Sequence, residues 1–371
     1  MDVVDVEALS RQVLWAAFAL AFVFGVIAQR THFCTMGAVA DIVNIGDWTR
    51  MRMWALAIGT AVLGFNAMVA SGWIEAGSTF YAGERLIWLS NLLGGLLFGI
   101  GMVLASGCGS KTLVRVGGGN LKALVVLLVL GISAYMTMRG LTAVWRVETV
   151  DQVALALPGG QDLPSLLAAG SGWPVPTLAG LLGLALGGAL LAWALASAQG
   201  RSADVLLGGF GIGLVVVAVW WVSGQLGFVA EHPETLEETF LATNSRAMES
   251  LTFVAPVGYA LDFLMMYSDA GKRLTLGIVA VFGVIAGAAV WALASGSFRW
   301  EGFGSVEDVA NHLVGGVLMG VGGVTAMGCT IGQGLSGVST LALGSFIALA
   351  GILGGAVLAL RYQIWRLERM A

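Results

Sequence analysis

Charge is scarce in this chain. Lys, Arg, Asp and Glu make up 11% of its 371 residues, where a soluble domain carries about 25%. That scarcity excludes an ordinary soluble globule. With 58% hydrophobic residues and a mean hydropathy of +0.88, lipid must solvate part of the surface. No stretch gathers Lys and Arg into a basic stripe, which excludes nucleic acid as a partner. Proline is rare, at 6 residues against 55 glycines, the balance expected of helices packed closely through small residues. Cysteine is rarer still. Cys34, Cys108 and Cys329 include no C-x-x-C, which excludes a thioredoxin-like dithiol. His32 and His312 form no H-x-x-x-H pair, so no zinc site is expected. The Gly117-Gly118-Gly119 run lacks a following G-K-[S/T] and is no phosphate loop. No quinone, haem or nucleotide motif is present, and no cofactor is expected.

What the chain does have is long apolar runs. A membrane helix needs about 20 such residues. Runs of that kind lie near 12–28, 52–74, 86–105, 121–143, 174–198, 204–222, 274–296, 310–327 and 341–362. The expected fold is therefore an all-α polytopic membrane domain over 1–371, with about nine transmembrane helices. The stretch 251–267 is apolar but short, and it contains Pro256. The opening residues, 1–10, carry Asp2, Asp5 and Glu7 and no Lys or Arg, unlike the basic start of a signal peptide, so the first run is read as a retained span. With the N-terminus outside and the C-terminus inside, eleven of the 18 Lys and Arg fall inside and seven outside, the distribution expected in a bacterial inner membrane.

The chain repeats itself at an offset of about 221 residues. Gly94-Gly95, Gly99, Gly101 and Gly107-Cys108 match Gly315-Gly316, Gly320, Gly322 and Gly328-Cys329. Thr31, Gly37, Asp41 and Arg52 match Thr252, Gly258, Asp262 and Arg273 at the same shift. The repeats run over about 12–143 and 204–362, with 174–198 as a linking span, and five spans separate their starts. The second repeat is then inverted, a plan that places a transporter's site at the repeat interface.

Each cysteine falls at the end of an apolar run, beside small or polar residues. The segments read Thr31-His32-Phe33-Cys34-Thr35-Met36-Gly37, then Ser106-Gly107-Cys108-Gly109-Ser110-Lys111-Thr112, then Met327-Gly328-Cys329-Thr330-Ile331-Gly332-Gln333-Gly334. The fourth equivalent position is Ala255. Such segments suit broken or re-entrant helices, whose freed N–H groups favour an anion. A thiol is a weak donor and a weak acceptor. It suits a large, soft anion that must be bound and then released. Cys34, Cys108 and Cys329 are the expected passage, with two supporting residues. Lys111 is placed either to attract an anion at the inner mouth or to act as a positive-inside anchor. Gln333 either donates to the anion or caps a loop. Asp41 and Asp262 are expected to be structural, either as caps or by pairing with Arg52 and Arg273. Two other classes stay open. One is a membrane thiol enzyme that uses the cysteines covalently, although no adjacent resolving cysteine is present. The other is a scaffold whose cysteines only pack.

These cysteine segments resemble the YeeE/YedE family of bacterial membrane proteins, whose characterised members take up thiosulfate. The resemblance covers about Val13 to Arg361 and is carried by the segments around Cys34, by Ala105 through Arg115, and by Gly328 through Gly334. It implies an hourglass-shaped helical fold with short helices dipping in from both faces. It implies that the three thiols pass thiosulfate along by S–H hydrogen bonds without lasting covalent chemistry. It also implies a small cytosolic partner similar to the TusA sulfurtransferases.

Overall fold

The computed structural model describes residues 5–233 and 235–370; the rest of the opening acidic stretch, Glu234 and Ala371 lie outside the described residues. The first half holds α1 (Val6–Thr31), α2 (Thr35–Ile45), α3 (Thr49–Ala70), α4 (Trp88–Leu104), α5 (Gly109–Gly117) and α6 (Leu121–Arg139). Two short helices, α7 (Leu141–Glu148) and α8 (Leu163–Ser171), precede α9 (Val175–Leu195). The second half holds α10 (Ala203–Trp221), α11 (Ala255–Met265), α12 (Leu276–Ala294), α13 (Val306–Thr325) and α14 (Leu343–Met370). Among the described residues, strand is confined to two short antiparallel pairs, Arg85–Leu86 with Leu155–Ala156 and Phe228–Val229 with Thr239–Phe240.

The protein is an all-α polytopic membrane protein. Eight helical stretches among the described residues are long and apolar enough to cross a bilayer. The ninth expected span, 310–327, forms as the 20-residue α13. Its first half carries Glu307, Asp308, Asn311 and His312, which keeps it below the apolar threshold of the others. These polar residues are spent on a cluster with α6. The Asp308 carboxylate accepts from Lys122 Nζ at 2.8 Å, and His312 Nδ1 lies 3.0 Å from its other oxygen. The stretch 251–267 yields only the 11-residue α11, too short to span.

Some helix starts carry side-chain caps, which occupy backbone donors that have no intrahelical acceptor. Asp5 accepts from Ala8 N at 2.9 Å, and Asn120 accepts from Ala123 N at 2.8 Å. The core is then assembled by glycine. α4 packs against both α13 and α14, α1 against α12 and α10, and α3 against α10 and α9. At the α4–α13 seam a Cβ on Gly101 would lie 2.8 Å from the Gly315 carbonyl, and one on Gly322 would lie 2.6 Å from the Gly94 carbonyl. Lipid tails give helices no hydrophobic reason to associate with one another, so close backbone contact supplies the attraction instead.

A side chain at this seam must push the two backbones apart, at a cost of about 1–3 kcal/mol or more. Gly101→Leu is expected to lower the melting midpoint in detergent by roughly 5 °C or more. Gly188→Ala, on α9 with open space around it, leaves the midpoint unchanged. Differential scanning fluorimetry of the two variants checks this.

Candidate functional site: three broken helices with buried thiols

Three helices stop in the same way. α1 ends at His32 (φ 52°), α4 is followed by Ser106 (φ 56°), and α13 is followed by Met327 (φ 59°). These are left-handed residues, and none is glycine. Two positions after each comes a cysteine: Cys34, Cys108 and Cys329. Non-glycine residues reach this region rarely, so three at one spacing from a cysteine mark a built feature.

Cys34 caps a helix, Cys329 accepts a backbone N–H at the same three-residue spacing, and Cys108 precedes a helix without capping it. Cys34 precedes α2 with extended backbone, and its Sγ accepts from Gly37 N at 3.4 Å. Cys329 does the same three residues before Gly332, again at 3.4 Å. Cys108 precedes α5, and its Sγ lies 3.3 Å from Ser110 Oγ. Serine and threonine usually cap in this way. A thiol in that role accepts the backbone N–H and keeps its own S–H free to donate elsewhere. All three cysteines are free and buried, with no disulfide among them.

The breaks converge. Cys108 lies within electrostatic reach of both Cys34 and Cys329, which makes it the middle member of the set. Lys111, in the first turn of α5, is within reach of Cys34 and Cys108. The segment before α11 completes the cluster without a cysteine. A Cβ on Gly109 would lie 3.3 Å from the Phe253 carbonyl, and one on Gly332 would lie 2.9 Å from Thr252 Cβ. Phe33 stacks on Trp54 at 4.7 Å between ring centroids. A Cβ on Gly334 would touch Trp54 at 3.5 Å.

Sequence reasoning missed the hydroxyls. Thr35 and Thr330, each next to a cysteine, are buried and their Oγ1 atoms have no hydrogen-bond partner within the protein. The signal was there, since both stand inside the quoted segments, but a threonine is unremarkable until its partner is shown to be missing. The segment after Cys329 continues as a π-helix, Gly332–Gly337, which the glycines there permit and no periodicity announces.

Gln333 is 2% exposed and sits behind Cys329. Its Nε2 donates to the Ala326 carbonyl at 2.5 Å, and its Oε1 is left without a partner. Asp41 pairs with Arg50 at 3.3 Å rather than with Arg52, whose guanidinium donates to the Trp193 carbonyl at 2.8 Å and covers that indole. Asp262 pairs with Lys272 rather than Arg273. Both aspartates are structural as expected, and a neighbouring cation one or two residues away outcompetes the one predicted. A depression of about 1300 Å³ is open. It lies where the start of α1 meets the end of α11, and no cysteine lines it.

A family model described as sulphur transport matches residues 30–358, a range that contains all three breaks. The chain belongs to the sulphur transport family. It is 27% identical over 356 residues to the thiosulfate transporter TsuA of Spirochaeta thermophila, which covers 90% of this chain and 94% of that protein. It is 26% identical over 315 residues to the thiosulfate transporter TsuA of Escherichia coli, covering 84% of this chain and 83% of that one. Membership accounts for the multi-pass architecture and for transport as the general activity.

Burial of the thiols predicts their reactivity. A bulky polyethylene-glycol maleimide should leave the native protein in membranes unmodified over a time in which the SDS-unfolded chain takes up three equivalents. A gel-shift assay reads the difference, and rapid native labelling at Cys108 would contradict the enclosed geometry.

Proposed function

We propose that this chain carries thiosulfate, or a closely related small sulfur anion, across the bacterial inner membrane. The anion is handed between Cys34, Cys108 and Cys329 by weak S–H hydrogen bonds. One observation carries the reading. At Cys34 and Cys329 the sulfur already accepts a backbone N–H, so the thiol proton is the group left to face a passing anion. Thr35 and Thr330 add neutral O–H donors beside those thiols. The names of the relatives, thiosulfate transporter in both cases, support the choice of anion.

The chemistry suits release as much as capture. A strong ion pair would hold the anion, whereas conduction needs sites weak enough to leave. Lys111 is the charged exception, and its role is to draw the anion toward Cys34 and Cys108. Gln333 holds the Cys329 break together through Ala326. The proposed frame is two inverted repeats, 12–143 and 204–362, joined by the span 174–198, with the N-terminus outside and the C-terminus inside. A cytosolic TusA-like sulfurtransferase would consume the anion on arrival. No covalent step at sulfur is required, so the protein is read as a transporter and not an enzyme.

Growth on thiosulfate tests this in a bacterial strain lacking its own thiosulfate and sulfate uptake. The wild type is expected to restore growth, while Cys34→Ala, Cys108→Ala and Cys329→Ala, present in membranes at equal level, are not. Full rescue by all three variants would make the cysteines packing residues. Thr330→Val keeps the shape and removes one hydroxyl. It is expected to raise the thiosulfate KM roughly 5- to 10-fold, the value of about one hydrogen bond.

A further inference from the structure

Behind Cys329 lies a second, smaller chamber of about 10 Å³. It is lined by Tyr81, Asn91, Gln161, Met327, Gln333 and Ser345 among others, and no Lys or Arg is among its described lining residues. Tyr81, Asn91, Gln333 and Ser345 are 4%, 3%, 2% and 1% exposed. Each presents an oxygen with no hydrogen-bond partner in the protein: Tyr81 Oη, Asn91 Oδ1, Gln333 Oε1 and Ser345 Oγ. An unsatisfied buried polar atom costs about 1–3 kcal/mol, so four around one small space point to an occupant.

The occupant's charge follows from the atoms. Two of the four, Gln333 Oε1 and Asn91 Oδ1, are amide oxygens that can only accept, which disfavours an anion. The Tyr81 and Ser345 hydroxyls can turn their lone pairs to a cation. The Gln333 Nε2 is already given to the Ala326 carbonyl. That bond also fixes which end of the amide faces the chamber. Ala326 closes the C-terminal end of α13, where the helix dipole is negative. Gln161 is satisfied at both ends, by the Gly83 carbonyl and Gly344 N. The residue after it, Asp162, is fully buried, with one carboxylate oxygen unpartnered. Burial holds the Tyr81 phenol well above its ordinary range, so it stays neutral. The wall therefore offers neutral oxygens, set in a negative potential, around a space about the size of one water molecule.

We propose that this chamber binds a Na⁺ ion, and that the cation accompanies the anion through the protein. Unwound helix ends with neutral oxygens are the usual cation sites of secondary transporters built from broken helices. The role in transport rests on the reading above; the binding does not. A dianion entering a cell climbs about 2.3 kcal/mol per charge at 100 mV. Each accompanying Na⁺ removes one such increment.

The test is equilibrium binding of ²²Na⁺ to the purified full chain by scintillation proximity, beside uptake of ³⁵S-thiosulfate into proteoliposomes. Saturable ²²Na⁺ binding is expected, displaced by Na⁺ and Li⁺ but not by K⁺. Asn91→Ala and Ser345→Ala should each weaken it by about tenfold or more, while Cys108→Ala should leave it intact. A chain that is monodisperse on gel filtration and shows no saturable ²²Na⁺ binding would mean that the chamber holds water only, and the proposal falls. Binding that survives both substitutions at full strength would overturn it equally. Intact ²²Na⁺ binding without any thiosulfate uptake keeps the cation site and sinks the anion reading instead. Uptake that is the same in Na⁺ and in choline would detach the cation from transport.

Discussion

Every backbone N–H and C=O at membrane depth must find a partner inside the protein, and this requirement governs the rest of the structure. α1, α4 and α13 stop short of it together, each turning through a left-handed residue and freeing polar groups where lipid cannot answer them. The breaks are tolerable only because they face one another in the interior. Glycine brings α4 against α13 and α14 closely enough to enclose them. Cysteine sulfur then satisfies part of what the breaks leave open, as an acceptor for Gly37 N and Gly332 N. What remains is a lining of donors with little charge.

That lining explains why soft groups stand where charged ones would bind more tightly. In the proposed account the chamber's buried oxygens without partners receive a cation and the thiols an anion. On the Cys329 side of the break the donors are Thr330 Oγ1 and the thiol; behind it, Gln333 turns an acceptor to a separate space. A single six-residue stretch, Cys329 to Gly334, thus borders two environments. The π-helix that begins at Gly332, within this stretch, gives it a geometry no regular α-helix offers.

Much of this was legible in the sequence, for identifiable reasons. Long apolar runs announce helices, so most span bounds were readable to within about four residues. α1 begins six residues earlier and α14 ends eight residues later than expected, because their polar ends stay helical, and α13 stood out only through its polar first half. The cysteine breaks were legible because small or polar residues interrupt an apolar run near each thiol. The partners of Asp41 and Asp262 were not, since Arg50 and Arg52 are equivalent by composition and only packing against Trp193 separates them. Tyr81 and Asn91 lie ten residues apart, while Gln333 and Ser345 come from the far half of the chain. Their shared chamber is a property of tertiary structure, and no local pattern reports it.

The central claim is that the sulfur anion passes the thiols intact. The decisive measurement is uptake into proteoliposomes of thiosulfate carrying distinct isotopes in its terminal and central sulfur atoms, followed by mass spectrometry of the lumen and of the protein. The account predicts both isotopes inside in equal amount as whole thiosulfate, with no sulfur added to Cys34, Cys108 or Cys329. Terminal label held on a cysteine, with sulfite left outside, would contradict it and make the protein a sulfur-transfer enzyme.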